Sequence, residues 1–388
     1  MRAWVTLTAL ALSTFVYVTV ETLPIGLLPQ IAQSLGTSTS AVGLLVTAYG
    51  FVVVVATVPL TKLAHRWSRR RLLGVLLGVF AVATAVSALA QSYGSLLAAR
   101  VAIALSQAVF WAIVTPAAAS LFVPHVRGRA ISILYTGSSA APLLGVPAGT
   151  WLGQQAGWRV PFLALSAIGL VVLVVIVALM PDLPPGRSDA DRGTAPDPGR
   201  YWTLVVATAL MVTGAFVSFT YINPFLTGVS GFAESAIGPI LLVRGLAGLA
   251  GVIVAGFVVG RWGWPSLVVV TAGQAVCLLV LYAFGANGAA AVVASAGAGF
   301  MLAGMAAVLG ARVLEVAPGA TDLASAGTST AFNVGITAGA LIGSALLTGA
   351  GVRSTALVGG LVTMAALIAV LAEPRLATRR AQTVGSVT

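Results

Sequence analysis

Glu21 lies deep inside an apolar run that extends from Trp4 to Leu28. Of the nine acidic residues, it alone is far from both ends of a long hydrophobic stretch. A charge at the centre of a lipid-spanning helix costs about 2.5–3.5 kcal/mol on insertion scales. A carboxylate kept there at that cost reads as a proton site or as a counter-charge on a transport path. Arg100 has a comparable depth. Glu21 is about seven residues from one end of its run, roughly 10 Å, and Arg100 about five residues into a later run, roughly 7–8 Å. If the two segments are neighbours, the charges can pair. A carboxyl balanced between burial and a nearby cation can load and release a proton near neutral pH. The alternative is a static ion pair that joins two helices. Arg244 is about ten residues into its run, too deep to snorkel, so it is expected to face a wet cavity and recognise an anion or a dipole. Pairing with a helix carbonyl is the structural alternative.

Polar and aromatic side chains recur at mid-run: Tyr17, Gln107, Trp111, Tyr135, Tyr221, Asn223, Gln274 and Asn333. In hydrocarbon each needs a protein or water partner. Those on cavity-facing helices would form an apolar pocket with a few hydrogen-bonding groups, the profile of a small-molecule site. For each residue singly, helix–helix packing is the competing explanation.

The elements that position these groups follow from composition. The chain is 59% hydrophobic and 7% charged, which leaves no surface for a soluble domain of 388 residues. A spanning helix needs roughly 20 apolar residues. Twelve stretches qualify, near 4–28, 41–62, 72–90, 95–117, 129–153, 159–180, 202–228, 235–260, 266–284, 288–310, 323–349 and 354–372. The fold class expected is an all-α polytopic membrane protein of twelve spans. The Gly count of 44 and the Pro count of 18 suit packed spanning helices.

Charge placement sets the orientation. With both termini in the cytoplasm, sixteen of the 20 Lys and Arg residues fall in cytoplasmic segments; Arg159 and Arg353 lie outside, and Arg100 and Arg244 within spans. The positive-inside rule favours that arrangement. It also accounts for the net charge of +11 without nucleic acid. Cys277 is alone, so no internal disulfide is expected, and His65 and His125 fall in loops, away from any metal-ligand pattern. The first run has no cleavage-site pattern and is read as a retained helix.

A polar, proline-rich stretch, 181–200, divides the chain into an expected bundle of six spans over 1–180 and a second over 201–372, with a tail over 373–388. The halves echo one another. Gly145, Gly149 and Gly153 fall four apart in span five, and Gly335, Gly339 and Gly343 do so in span eleven. Arg66-Trp67 after span two matches Arg261-Trp262 after span eight, and Pro24 matches Pro224. Together these indicate a duplicated six-helix unit. Glycines four apart line one helix face, for tight packing, for sliding between the halves, or for both.

These residues resemble the major facilitator superfamily over essentially the whole chain. The loop Lys62-Leu63-Ala64-His65-Arg66-Trp67-Ser68-Arg69-Arg70-Arg71 is similar to its Gly-x-Leu-Ala-Asp-Arg-x-Gly-Arg-Arg loop. Leu63, Ala64, Arg66, Arg69 and Arg70 match; Thr61, His65 and Ser68 replace Gly, Asp and Gly. Leu97-Ala98-Ala99-Arg100 is similar to the span-four motif whose arginine is tied to proton coupling, and Gly145-Val146-Pro147-Ala148-Gly149 to the span-five antiporter motif. Glu21-Thr22-Leu23-Pro24-Ile25-Gly26 through Ala32, Leu45 to Tyr49, Arg127 to Ala130 and Thr220 to Phe225 resemble the drug:proton antiporter branch of sugar-efflux, purine-efflux and chloramphenicol-resistance proteins. Asn223 replaces a basic residue and Gln107 a His, so substrate preference is expected to differ.

The resemblance implies two pseudo-symmetric bundles and proton-coupled efflux of a small organic molecule by alternating access, without a cofactor beyond the proton gradient. Glu21 and Arg100 would couple protons. Tyr17, Gln107, Trp111, Tyr135, Tyr221, Asn223, Arg244 and Asn333 would bind substrate. His65, Arg66, Arg69, Arg70, Gly145, Pro147, Gly149, Gly335, Gly339 and Gly343 would serve the conformational change. Spans one, four, seven and ten would line the cavity, and two, five, eight and eleven would rock. The expected setting is a bacterial plasma membrane, with a monomer that touches substrate, protons and lipid. An importer or uniporter of the same fold shares most features. A membrane enzyme would need a Ser/His or His/Asp constellation that the two loop histidines do not supply, and a sensor would need a further soluble domain.

Overall fold

The computed structural model describes residues 2–64, 66–182 and 192–384. His65 and residues 183–191 of the expected linker lie outside the described residues. The chain divides into two compact units, residues 1–191 with 325–330, and residues 192–324 with 331–388.

The first unit opens with α1 (Arg2–Gly26) and a short α2 (Leu28–Ser34), followed by α3 (Thr39–Ala64), α4 (Arg69–Leu89) and α5 (Tyr93–Ser120). Then come α6 (Pro124–Ala140), a π-helical turn (Ala141–Gly145), α7 (Val146–Ala156) and α8 (Arg159–Leu179). The second unit contains α9 (Pro198–Phe219), α10 (Ile222–Gly228), α11 (Glu234–Val258), α12 (Gly263–Phe284), α13 (Gly288–Val316), α14 (Thr321–Gly349) apart from its residues 325–330, and α15 (Arg353–Val384). Among the described residues, twelve helical stretches are long and apolar enough to cross a membrane; α6, the π turn and α7 form one of them. This is the expected all-helical, multi-pass architecture.

Local chemistry sets the helix starts. Ser68 caps α4 by accepting from the Arg71 amide, Ser92 and Ser95 form a reciprocal capping box on α5, and Asp197 accepts from the Gly199 and Arg200 amides ahead of α9. The proline breaks recur. Pro24 and Pro29 flank the interruption between α1 and α2, and Pro224 follows the one between α9 and α10. A proline lacks the amide that a helix needs at its interior. The same loss explains the π turn. Pro147 cannot donate to the carbonyl of Leu143, and one turn of wider helix takes up the mismatch.

Pairing is alike in the two units. In the first, α3 packs on α5, α4 on α5 and α8, and α1 on α8; in the second, α11 packs on α13, α12 on α13 and α15, and α9 on α15. The glycine faces turn inward within their own units. A Cβ at Gly149 would meet Leu23 Cδ1 of α1 at 2.7 Å, and one at Gly339 would meet the Thr213 carbonyl oxygen of α9 at 2.7 Å. Each series packs closely against the first long helix of its own unit or a residue just beyond it.

The second unit also contains a charge cluster. Arg200 of α9 and Arg312 of α13 donate to Glu373 Oε1 of α15 at 2.7 and 3.0 Å, and Arg312 also donates to Glu315. Glu373 is fully buried. The helix that holds it, α15, runs on through Val384. The Ala195 and Asp197 amides donate to the Glu315 and Val316 carbonyls at 2.9 and 3.0 Å, which ties the entry to α9 onto the end of α13.

Candidate functional site

In the first unit the site is built at the broken end of α1. Pro24 cannot donate to the carbonyl of Val20, four residues earlier. Arg100, arriving on α5, supplies the missing donor. One guanidinium nitrogen donates to the Val20 carbonyl and the other to the Glu21 carbonyl at 2.9 Å. The guanidinium lies 4.6 Å from the centroid of the Tyr49 ring on α3, a cation–π contact. Arg100 is 1% exposed.

The Glu21 carboxylate has a different partner. Gln107 Nε2 donates to it at 2.8 Å, and Gln107 Oε1 accepts from the Tyr49 hydroxyl at 2.6 Å. Among the described residues no cation lies within ion-pair distance of Glu21. The expected charge pair is therefore corrected: Arg100 grips the backbone at Glu21, and an amide holds the carboxylate. Glu21 remains half-buried.

Arg100, Gln107, Trp111 and Thr115 are spaced along one face of α5. Farther along it, Trp111 stacks on Tyr135 of α6 with ring centroids 6.2 Å apart, and the Tyr135 hydroxyl is 3.3 Å from Thr115 Oγ1. Both aromatics are half-buried, which leaves ring surface for a ligand. Tyr17 has none. It is fully buried between Phe80 and Phe110, and its hydroxyl bonds the Leu76 carbonyl and Ser106 at 3.1 Å each. Tyr17 is a core residue here, and Tyr49, equally buried, joins the cluster around Arg100 and Gln107. The signal for the Arg100 anchor was Pro24 itself, four residues after Val20.

In the second unit, Arg244 of α11 is 8% exposed and donates to the Ser295 carbonyl of α13 at 2.9 Å. Its guanidinium lies 4.4 Å from the Phe219 ring centroid. A Cβ at Gly299 would sit 2.6 Å from the Arg244 carbonyl oxygen, so the glycine admits this close approach of α11 to α13. Gln274 is 2% exposed, with both side-chain polar atoms unpartnered. Tyr221 donates to the Ala340 carbonyl at 2.9 Å; Asn223 is exposed on α10 and Asn333 half-buried on α14. Of the expected gating residues, Arg66 is exposed, Arg69 and Arg70 are half-buried at the start of α4, and Gly145 and Pro147 flank the end of the π turn.

The model of the Major Facilitator Superfamily matches residues 10–310. The chain belongs to the major facilitator superfamily. This superfamily member is a multi-pass membrane transporter of small solutes, not an enzyme. Solved structures agree in fold. The human organic anion transporter MFSD10 (TETRAN) is 16% identical, with a TM-score of 0.76 over 95% of this chain and 98% of that one. The major facilitator superfamily transporter FucP in its outward conformation is 14% identical, with a TM-score of 0.75 over 96% and 99%. The proton:xylose symporter XylE bound to 6-bromo-6-deoxy-D-glucose is 13% identical, with a TM-score of 0.74 over 95% and 94%.

Proposed function

We propose that this transporter exports a small organic solute in exchange for protons, by alternating access, from the cytoplasm of a bacterial cell with both termini inside. The supporting observation is the state of the Glu21 carboxylate. It is half-buried and bonded to a neutral amide, while the adjacent arginine is occupied by backbone carbonyls. A carboxylate locked in a buried ion pair would resist protonation; this one has no such lock. A proton taken up there removes a charge from a poorly solvated position, which lowers the cost of closing the site. The half-buried Trp111 and Tyr135 rings offer a ligand surface on the same helix face. Direction rests on the resemblance of Gly145 to Gly149 to the span-five antiporter motif, which here opens at the π turn.

The test is uphill solute movement in energised inverted vesicles. Glu21→Gln should insert normally and abolish accumulation driven by a pH gradient. Wild-type accumulation in the variant would overturn proton coupling through Glu21. Accumulation in right-side-out vesicles alone would overturn export.

A further inference from the structure

Arg100 in the first unit and Arg244 in the second are both buried, and their surroundings differ. The register that matches Arg66-Trp67 with Arg261-Trp262 also matches Tyr49 with Arg244 and Arg100 with Ser295. The same helix–helix junction thus receives its guanidinium from α5 in one unit and from α11 in the other. Arg100 has two backbone carbonyls and shares its cluster with a carboxylate. Arg244 has a single carbonyl, the Phe219 ring and the Cys277 thiol of α12 as an electrostatic neighbour, and among the described residues no carboxylate lies within ion-pair distance of it. A guanidinium has five N–H donors, so most of those on Arg244 are unspent. The residue keeps 8% exposure, and its unbonded nitrogens are not among the sealed polar atoms. Phe219 covers one face of the planar group, and the edge of a guanidinium is where a bidentate acceptor docks.

A buried cation without a counter-ion is expensive in a membrane. The missing charge is supplied most simply by the cargo. Resting on the export reading above, we propose that the transported solute is an organic anion whose carboxylate docks on Arg244, with the Phe219 ring behind the guanidinium and Ser295 fixing its position.

The test is a binding screen on the purified full chain without any gradient. Small organic carboxylates are each paired with their primary amide and their phosphonate analogue, and binding is read by thermal shift and then by calorimetry. Carboxylates should bind in preference to the matched amides. Arg244→Gln should weaken the best carboxylate by about tenfold or more and erase the preference. Arg244→Lys should keep the preference at lower affinity, and it serves should the Gln variant not fold. A merely structural arginine predicts equal binding of acids and amides, or a preference that survives in Arg244→Gln; either result overturns the proposal, as does a panel without carboxylate binding. Stronger binding of phosphonates than of carboxylates would overturn the carboxylate assignment. Carboxylate binding without uphill efflux would sink the export reading and leave the anion site standing; efflux of neutral solutes without acid binding would do the reverse.

Discussion

Val20 has a carbonyl that Pro24 leaves unpaired, and this detail determines what Arg100 does. Reading charges in apolar runs was enough to single out Glu21 and Arg100 and to place them at similar depth. It did not show how the two are held, because opposite charges suggest an ion pair and the missing helical amide was not counted. The planar guanidinium holds its donors in a fixed fork across two carbonyls while its face lies against the Tyr49 ring; the compact ammonium of a lysine has three donors on one nitrogen and no such planar fork. Arg100→Lys is therefore expected to cost about 1.5–3 kcal/mol of stability, the worth of a hydrogen bond to a charged group. Thermal unfolding in detergent checks it, and a wild-type midpoint would show that the backbone anchor is unimportant.

The twelve spans were readable at the scale of elements because each is a long apolar run, and the bilayer demands nothing subtler. What escaped was where runs break inside the apolar stretch, at α1–α2, at α9–α10 and at the π turn. Hydropathy is continuous across these points, and only the prolines mark them. The glycine faces were visible as spacing, but spacing does not name the partner. Two positions in equivalent faces should differ in cost. At Gly149 an added methyl meets the end of the Leu23 side chain, which can rotate away; at Gly339 it meets the Thr213 carbonyl and the Val217 amide nitrogen at 2.7 and 2.9 Å. Gly339→Ala should cost about 1–3 kcal/mol from overpacking, with Gly149→Ala well below that, as compared by unfolding midpoints. Arg200 and Arg312 were counted as topology signals, yet they also share the buried Glu373. Removing one member of a buried ion network leaves uncompensated charge and costs about 3–5 kcal/mol. Glu373→Ala should destabilise the second unit on that scale, and a loss under about 1 kcal/mol would mean that water reaches the cluster.

For the whole molecule, the proposed proton site and the proposed anion site make a joint statement about charge. A neutral solute exchanged for one proton moves one charge per cycle. An organic anion leaving as a proton enters moves two in the same electrical sense. Each charge crossing 100 mV is worth about 2.3 kcal/mol, so an inside-negative potential of that size can sustain a solute gradient of roughly three orders of magnitude for the anion and under two for the neutral molecule. A potassium diffusion potential, with no pH difference, should then drive the best-binding carboxylate out of reconstituted vesicles on its own. Charge displacement recorded alongside tracer efflux should give about two charges per solute. A ratio near one would mean that the cargo crosses neutral or that no proton accompanies it, and in the Glu21→Gln protein any residual movement should fall to that ratio, because the remaining charge is the cargo's own.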